Sequence, residues 1–325
     1  MSLGRRKFIQ LSVGATALPA ISSKGWAQSY PSRPISLVVF LPAGAIPDII
    51  GRLIGDALSR RLGQPIIIDN RPGAGGNIAL QAVARAPADG HTLLLLASPH
   101  AVNVSVYPNN PVNLIKDIVP VASLNRDTFA LLVHPSMPAN TVAEFIAYAK
   151  ANPGKINQSS NGTGNLTHLA GELFKTAAGI DTQHVPYRGS PAALAALTAG
   201  DVQAGFDTVG TSFPLIQAGK IRALGVSSTA RVPMLPNIPT IAETVPGYTV
   251  TGWLGIGAPK DTPAEIVQRL NREISAVLND PAIRSKMADF NSDPFVSTTA
   301  EFTKFTAEDV DKWAKVVKAA GIKVE

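Results

Sequence analysis

The sequence contains no cysteine. Disulfides, thiolate metal sites and thiol catalysis are therefore excluded, and the redox state of the compartment neither helps nor harms the fold. Its five histidines, His91, His100, His134, His168 and His184, never stand three or four residues apart. No zinc-type imidazole pair arises, and neither a metal nor a cofactor is expected. No G-x-S-x-G elbow occurs, and no Lys-Ser or Lys-Thr follows the glycine-rich residues 73–77, where Ile78 also breaks the G-x-G-x-x-G spacing. A hydrolase elbow, a P-loop and a dinucleotide fingerprint are thus missing. Asp48, Asp69 and Asp207 are scattered, with none of the paired carboxylates of glycoside hydrolysis. Aromatics make up only 6% of the chain and do not interleave with basic residues, so nucleic acid is not an expected partner.

Long apolar runs are also scarce. Beyond the first 27 residues none reaches the roughly 20 needed to span a bilayer, so the chain is not expected to be membrane-embedded. Residues 1–27 read as a signal peptide. Arg5, Arg6 and Lys7 precede Phe8, Ile9 and an apolar stretch at 11–21, and Gly25-Trp26-Ala27 offers a cleavage point before Gln28. The arginine pair resembles the twin-arginine (Tat) type and implies a periplasmic destination, the alternative being a general secretory signal with a chance Arg pair. Arg5, Arg6, Lys7 and Lys24 lie in this segment with no acid, so its removal takes the net charge from +6 to +2. The high isoelectric point is then no sign of a nucleic-acid surface.

What is present is an alternation of short buried strands and amphipathic helices. Residues 35–40 and 66–68 and the run Thr92–Ala97 are strand candidates, with helical periodicity between 50 and 62. Gly63 stops that helix, and a glycine-rich loop fills 73–77. Later come strands near 130–133, 183–185, 202–206, 221–226 and 253–258, and helices opened by Thr141, Ser190, Thr262 and Thr298. The pattern predicts α/β architecture with parallel sheets. Two places share one design: a strand, a loop of small residues and a helix start, at 35–62 and 155–178. Such helix starts bind anions through free N–H groups without Lys or Arg. The plainer reading of each is a capped helix after a flexible turn.

Several blocks, taken together and in order, resemble the extracytoplasmic solute-binding receptors of tripartite tricarboxylate transporters, the Bug receptors. They include Pro42-Ala43-Gly44 with Asp48, residues 70–77, Ala88-Asp89-Gly90-His91, residues 164–169, His184-Val185-Pro186-Tyr187-Arg188-Gly189, Ile238-Pro239-Thr240 and Trp253 with Ala258-Pro259. The resemblance implies a type II periplasmic-binding-protein-like fold, with two α/β domains around a central ligand cleft. Domain one would take residues 30–127 plus 250–325, and domain two 128–249. It further implies a non-enzymatic receptor that captures a small organic carboxylate for the membrane subunits of such a transporter. A sensory receptor acting with a signalling partner is the alternative, and a hydrolase or isomerase a more distant one. Carried over residue by residue, the ligand-binding set is Ala43, Gly44, Ala45, Asp48 and Ser98 on one side. On the other it is Ser160, Asn161, Gly164, Asn165, His168, Tyr187 and Asp207. For each, a structural role is the competing reading. The family's first loop reads Pro-Ala-Gly-Gly-x-Thr-Asp, but here Ala45 takes the place of the second Gly and Pro47 that of the Thr. If Ala45 sat in a left-handed conformation it would be strained by about 1–2 kcal/mol. Pro47 removes an N–H and a hydroxyl. Together these changes predict poor binding of citrate-like and small hydroxylated dicarboxylates, and a preference for a monocarboxylate with an apolar or aromatic body.

Overall fold

The structure is a computed structural model and describes residues 30–290 and 292–322. The signal-peptide reading at 1–27 lies outside the described residues. Among the described residues no helix is long and apolar enough to cross a membrane.

The chain opens with three strand–helix units: β1 (Ile35–Val39) and α1 (Ile46–Leu62), β2 (Ile66–Asn70) and α2 (Asn77–Ala84), β3 (Thr92–Ala97) and α3 (Ser98–Val106). The short α4 (Leu114–Asp117) leads into β4 (Ile118–Val133), a strand of 16 residues. A second trio follows α5 (Val142–Ala151): β5 (Asn157–Ser160) and α6 (Leu166–Ala178), β6 (Gln183–Pro186) and α7 (Ser190–Ala199), β7 (Ala204–Thr208) and α8 (Val209–Gln217). The remainder is β8 (Arg222–Val226), β9 (Thr251–Pro259), α9 (Ala264–Leu278), α10 (Pro281–Ala288), β10 (Asp293–Pro294) and α11 (Thr299–Ala320).

The two trios are built alike. In the first, β1 lies between β2 and β3, parallel to both. In the second, β5 lies between β6 and β7, again parallel to both. Each trio is extended by an antiparallel strand: β9 beside β3, and the second part of β4 beside β7. The strand β4 belongs to both sheets. Residues 118–128 pair with β9, and residues 129–133 pair with β7 and β8. Register shifts at 120–122 and 123–125 bend it before the change of partner.

The inner parallel strands β1 and β3 are buried because helices cover both faces, whereas the edge strands β2 and β6 are partly exposed. Leu93, Leu94, Leu95 and Leu96 in β3 are all at most 1% exposed. The last helix, α11, seals one face. Thr298 and Glu301 form its capping box. Phe302 packs so close to β9 that a Cβ at Gly255 would collide with its ring, and Trp253 Nε1 donates to Asp309 Oδ2 at 2.8 Å. A second, smaller apolar cluster lies around Leu132, Leu197, Val202 and Ile221.

Candidate functional site

Where a chain runs from a central strand out to one neighbour and then back to the other, helix starts gather at the strands' carboxyl ends, and ligands bind in the crevice there. Both trios have this order. The loops after β1 and β3, and those after β5 and β7, occupy those ends. Ala43, Gly44, Ala45 and Asp48 lie in and just after the β1 loop, and Ser98 opens α3 after β3. Ser160, Asn161, Gly164, Asn165 and His168 span the end of β5 and the start of α6, and Asp207 stands next to last in β7. Tyr187 directly follows β6.

Asp48 holds the first loop together. Its side chain is 1% exposed. Oδ2 accepts the Gly44 N–H at 2.9 Å and the Arg52 Nε–H at 3.0 Å, while Oδ1 accepts from Asn70 Nδ2 at 2.8 Å. Asn70 Nδ2 also donates to Leu41 O at 2.9 Å. Burial by itself would raise the pKa of this carboxyl, but the bonds from Arg52, Gly44 and Asn70 together outweigh it and hold the pKa below the ordinary value. The positive φ of the loop falls on Gly44, at +87°. Ala45 is extended, φ −69° and ψ 151°, as the N-cap of α1. The expected strain at Ala45 is therefore absent, because the turn is made one residue earlier, on the glycine that is retained. Pro47 sits in the first helical turn, where φ near −65° suits it and its missing N–H breaks no helical bond. Ala45 N–H donates to Pro42 O at 3.3 Å. The Ile46 and Asp48 N–H groups make no hydrogen bond with another described residue and are the free donors of the helix start.

Ser98 is 2% exposed, and its Oγ accepts the Trp253 N–H at 2.8 Å. It stitches β9 to the start of α3.

In the second loop most amides are held within the chain. Asn161 N–H donates to Thr167 Oγ1 at 2.8 Å, Gly162 N–H to Ser160 Oγ at 3.2 Å and Gly164 N–H to His168 Nδ1 at 3.1 Å. Asn165 caps α6, its Oδ1 accepting the Thr167 N–H at 3.2 Å. The N–H groups of Thr163, Leu166 and His168 make no hydrogen bond with another described residue. Thr163 and Leu166 were not singled out from sequence, because a backbone donor leaves no mark on residue type.

Asp207 is 2% exposed. It accepts from the Ser190 hydroxyl and from the Thr208 N–H, the latter at 2.7 Å. Burial raises its pKa, and the bonds from Ser190, Thr208 and Asn161 offset part of that rise. Asn161 Oδ1 is buried without a partner among the described residues. Tyr187 donates its N–H to Ser160 O at 2.9 Å and packs its ring against the smaller apolar cluster. An open groove of about 560 Å³ between α1, β2 and α10 is lined by Ile49, Arg52, Leu53, Ile66, Lys286 and Phe290 among others. None of the predicted site residues lines it.

Residues 50–322 match the family described as tripartite tricarboxylate transporter family receptor. The chain belongs to this family. Protein BugT of Bordetella pertussis is 34% identical over 312 residues, covering 95% of this chain and 96% of that protein. The structure of R. palustris Rpa4515 with adipate is 38% identical with a TM-score of 0.77, covering 90% of this chain and 99% of the other. MatC from Rhodopseudomonas palustris with bound malate is 31% identical with a TM-score of 0.73, covering 89% and 100%. The fold is of the type II periplasmic-binding-protein kind, and the chain is a solute-binding receptor of the TctC and Bug group, not an enzyme. The glycine-rich residues 73–77 and His91 belong to the family blocks; Gly76 packs against Phe40 at the start of the loop after β1. Asn103 Nδ2 donates to Gly75 O at 2.8 Å, and Asp89 Oδ1 accepts the His91 N–H at 3.0 Å, both within the first trio.

Proposed function

We propose that this receptor captures a small organic carboxylate in the periplasm and hands it to the membrane subunits of a tripartite tricarboxylate-type transporter. One observation carries the reading. Two helices, α1 and α6, each begin beyond the carboxyl end of a central strand, with free N–H groups and no Lys or Arg in either loop. A carboxylate is stabilised at such ends by the macrodipole and by direct donation. The adipate and malate held by two similar receptors support the ligand class. We further place the moving parts at 30–127 plus 250–322 and 128–249, because β4 changes sheets at Thr128 and Phe129. The chain re-enters beside that point. Val250 N–H donates to Ser227 O at 3.0 Å, and Phe129 N–H to Ser227 Oγ at 2.9 Å.

Native mass spectrometry of the protein purified without added ligand, followed by calorimetry with adipate, malate, citrate and benzoate, tests the ligand class. A bound acid, or saturable binding of one of these, is expected. Binding confined to cationic or uncharged solutes would overturn the reading. Loss of uptake of the identified acid in a deletion strain separates transport from sensing. Unchanged uptake with a lost transcriptional response would favour the sensor.

A further inference from the structure

Beside the second loop lie two side chains whose arrangement goes beyond capping a helix. His184 on β6 and His168 in the first turn of α6 stack face to face, with centroids 3.7 Å apart and planes 12° from parallel. Each ring also bonds into the loop. His184 Nε2 is 2.6 Å from Ser160 Oγ, which itself accepts the Gly162 N–H. His168 Nδ1 accepts the Gly164 N–H at 3.1 Å. The two glycines that turn the loop, with φ of +129° and +76°, are thus tied to one imidazole stack.

We propose that His184 is a positioning residue for ligand capture: through Ser160 and through its stack on His168, it holds the 161–166 turn in the shape that leaves the Thr163, Leu166 and His168 N–H groups free for a ligand carboxylate. This rests on the carboxylate reading above. The bond to Gly164 requires a lone pair on His168 Nδ1, so the arrangement exists only with that ring neutral. Around the pair stand Glu172, whose Oε1 is 3.9 Å from His168 Nε2, and Lys175, which pairs with Glu172 at 3.1 Å. Burial first, then the charges of His184 and Lys175, lower the His168 pKa to about 4. Burial and Lys175 lower that of His184 as well. The His168 ring is then neutral at pH 7.

The test reads the loop and the ligand separately. Amide hydrogen exchange of Gly162 and Gly164 is followed by NMR in the ligand-free protein, with β3 amides as the folded-state control. H184F keeps a flat ring on His168 but loses the bond to Ser160, whereas S160A removes that bond together with the acceptor of the Gly162 N–H. Each is expected to speed exchange at both glycines about tenfold and to weaken adipate or malate binding by a similar factor. The double variant should be no worse than S160A alone, because the bond that H184F removes is already lost there. In the unaltered protein, protection of Gly164 should fall as the pH approaches 4 while β3 stays protected. Unchanged glycine exchange in H184F, or Gly164 protection constant through the titration, would overturn the proposal. So would fast exchange in H184F with ligand affinity intact. If the glycines loosen as expected but the unaltered protein binds neither acid, the support of the loop stands and the choice of ligand class is what has failed.

Discussion

Asp48 and Asp127 show how much one carboxylate's neighbours decide. Asp48 collects three donors in a buried position, so its charge is stabilising. Its folded pKa is depressed, and the stability it contributes is present above the unfolded value near 3.9 and lost as the pH falls through the folded one. Asp48→Asn should cost about 2–3 kcal/mol in denaturant unfolding at pH 7, since an amide cannot accept from Gly44, Arg52 and Asn70 together. Asp127, on β4 beside the change of sheet, is the reverse case. Burial raises its pKa to about 6, the Asn125 amide lowers it somewhat, and Asp293 raises it. The unfolded state ionises first, so stability drops as the pH rises from about 4 to 6 and stays lower above that. Asp127→Asn should remove this slope and gain about 1–2 kcal/mol at neutral pH, with little change at pH 4. A flat pH difference between the two proteins would refute the assignment. Asp48 was legible in the sequence because it stands in a recognisable loop block. Asp127 was not, because nothing in the order Asn125-Arg126-Asp127-Thr128 tells that a strand passes there.

At the level of elements, helices were legible where a glycine stop or a capping box marks an end, as with Gly63 for α1, Gly200 for α7 and Thr298 for α11; α9 shows in its periodicity, but Pro263 and not Thr262 is its N-cap, the Thr262 hydroxyl donating to Pro259 O. The strand β4 was seen only at its apolar end, 130–133, whereas it begins at Ile118. Its middle is polar because those residues bond across β9, β10 and the loop near Ser292, and such partners have no local signature. The helix α3 was missed for a similar reason: it starts directly at the end of β3, with no loop to mark the boundary. The start of α1 offers a test of function against stability. Ala45 is a poor N-cap in good cap geometry. Ala45→Ser should stabilise the protein by about 1 kcal/mol by accepting the Asp48 N–H, and should weaken carboxylate binding because that donor is then taken. Thermal melting and calorimetry on one preparation would show both effects or neither. Pro47→Thr, which returns an N–H and a hydroxyl at the same helix start, should strengthen malate more than benzoate. Equal changes for the two acids would mean that residue 47 does not meet the ligand.

For the whole molecule, the proposed site, divided between two sheets, would be completed when they approach, and a ligand would shift the population toward the closed form. Small-angle scattering should therefore report a smaller radius of gyration at saturation with the acid that calorimetry identifies. An unchanged radius would indicate a site formed within one half. The two-part architecture was legible only through the family resemblance; the periodicity showed strands and helices but not which strand lies beside which. That order has a consequence for synthesis. The strand that joins β3 to β4 is β9, made more than 100 residues after either edge it fills. Until it emerges, the first trio presents a bare apolar edge to every other nascent chain, while the second trio, contiguous between β4 and β8, already has all its partners. A ribosome stalled before residue 251 would thus release a chain with one finished half and one half prone to stick to its neighbours, so the protein's vulnerability to aggregation is concentrated in the time it takes to translate its last quarter.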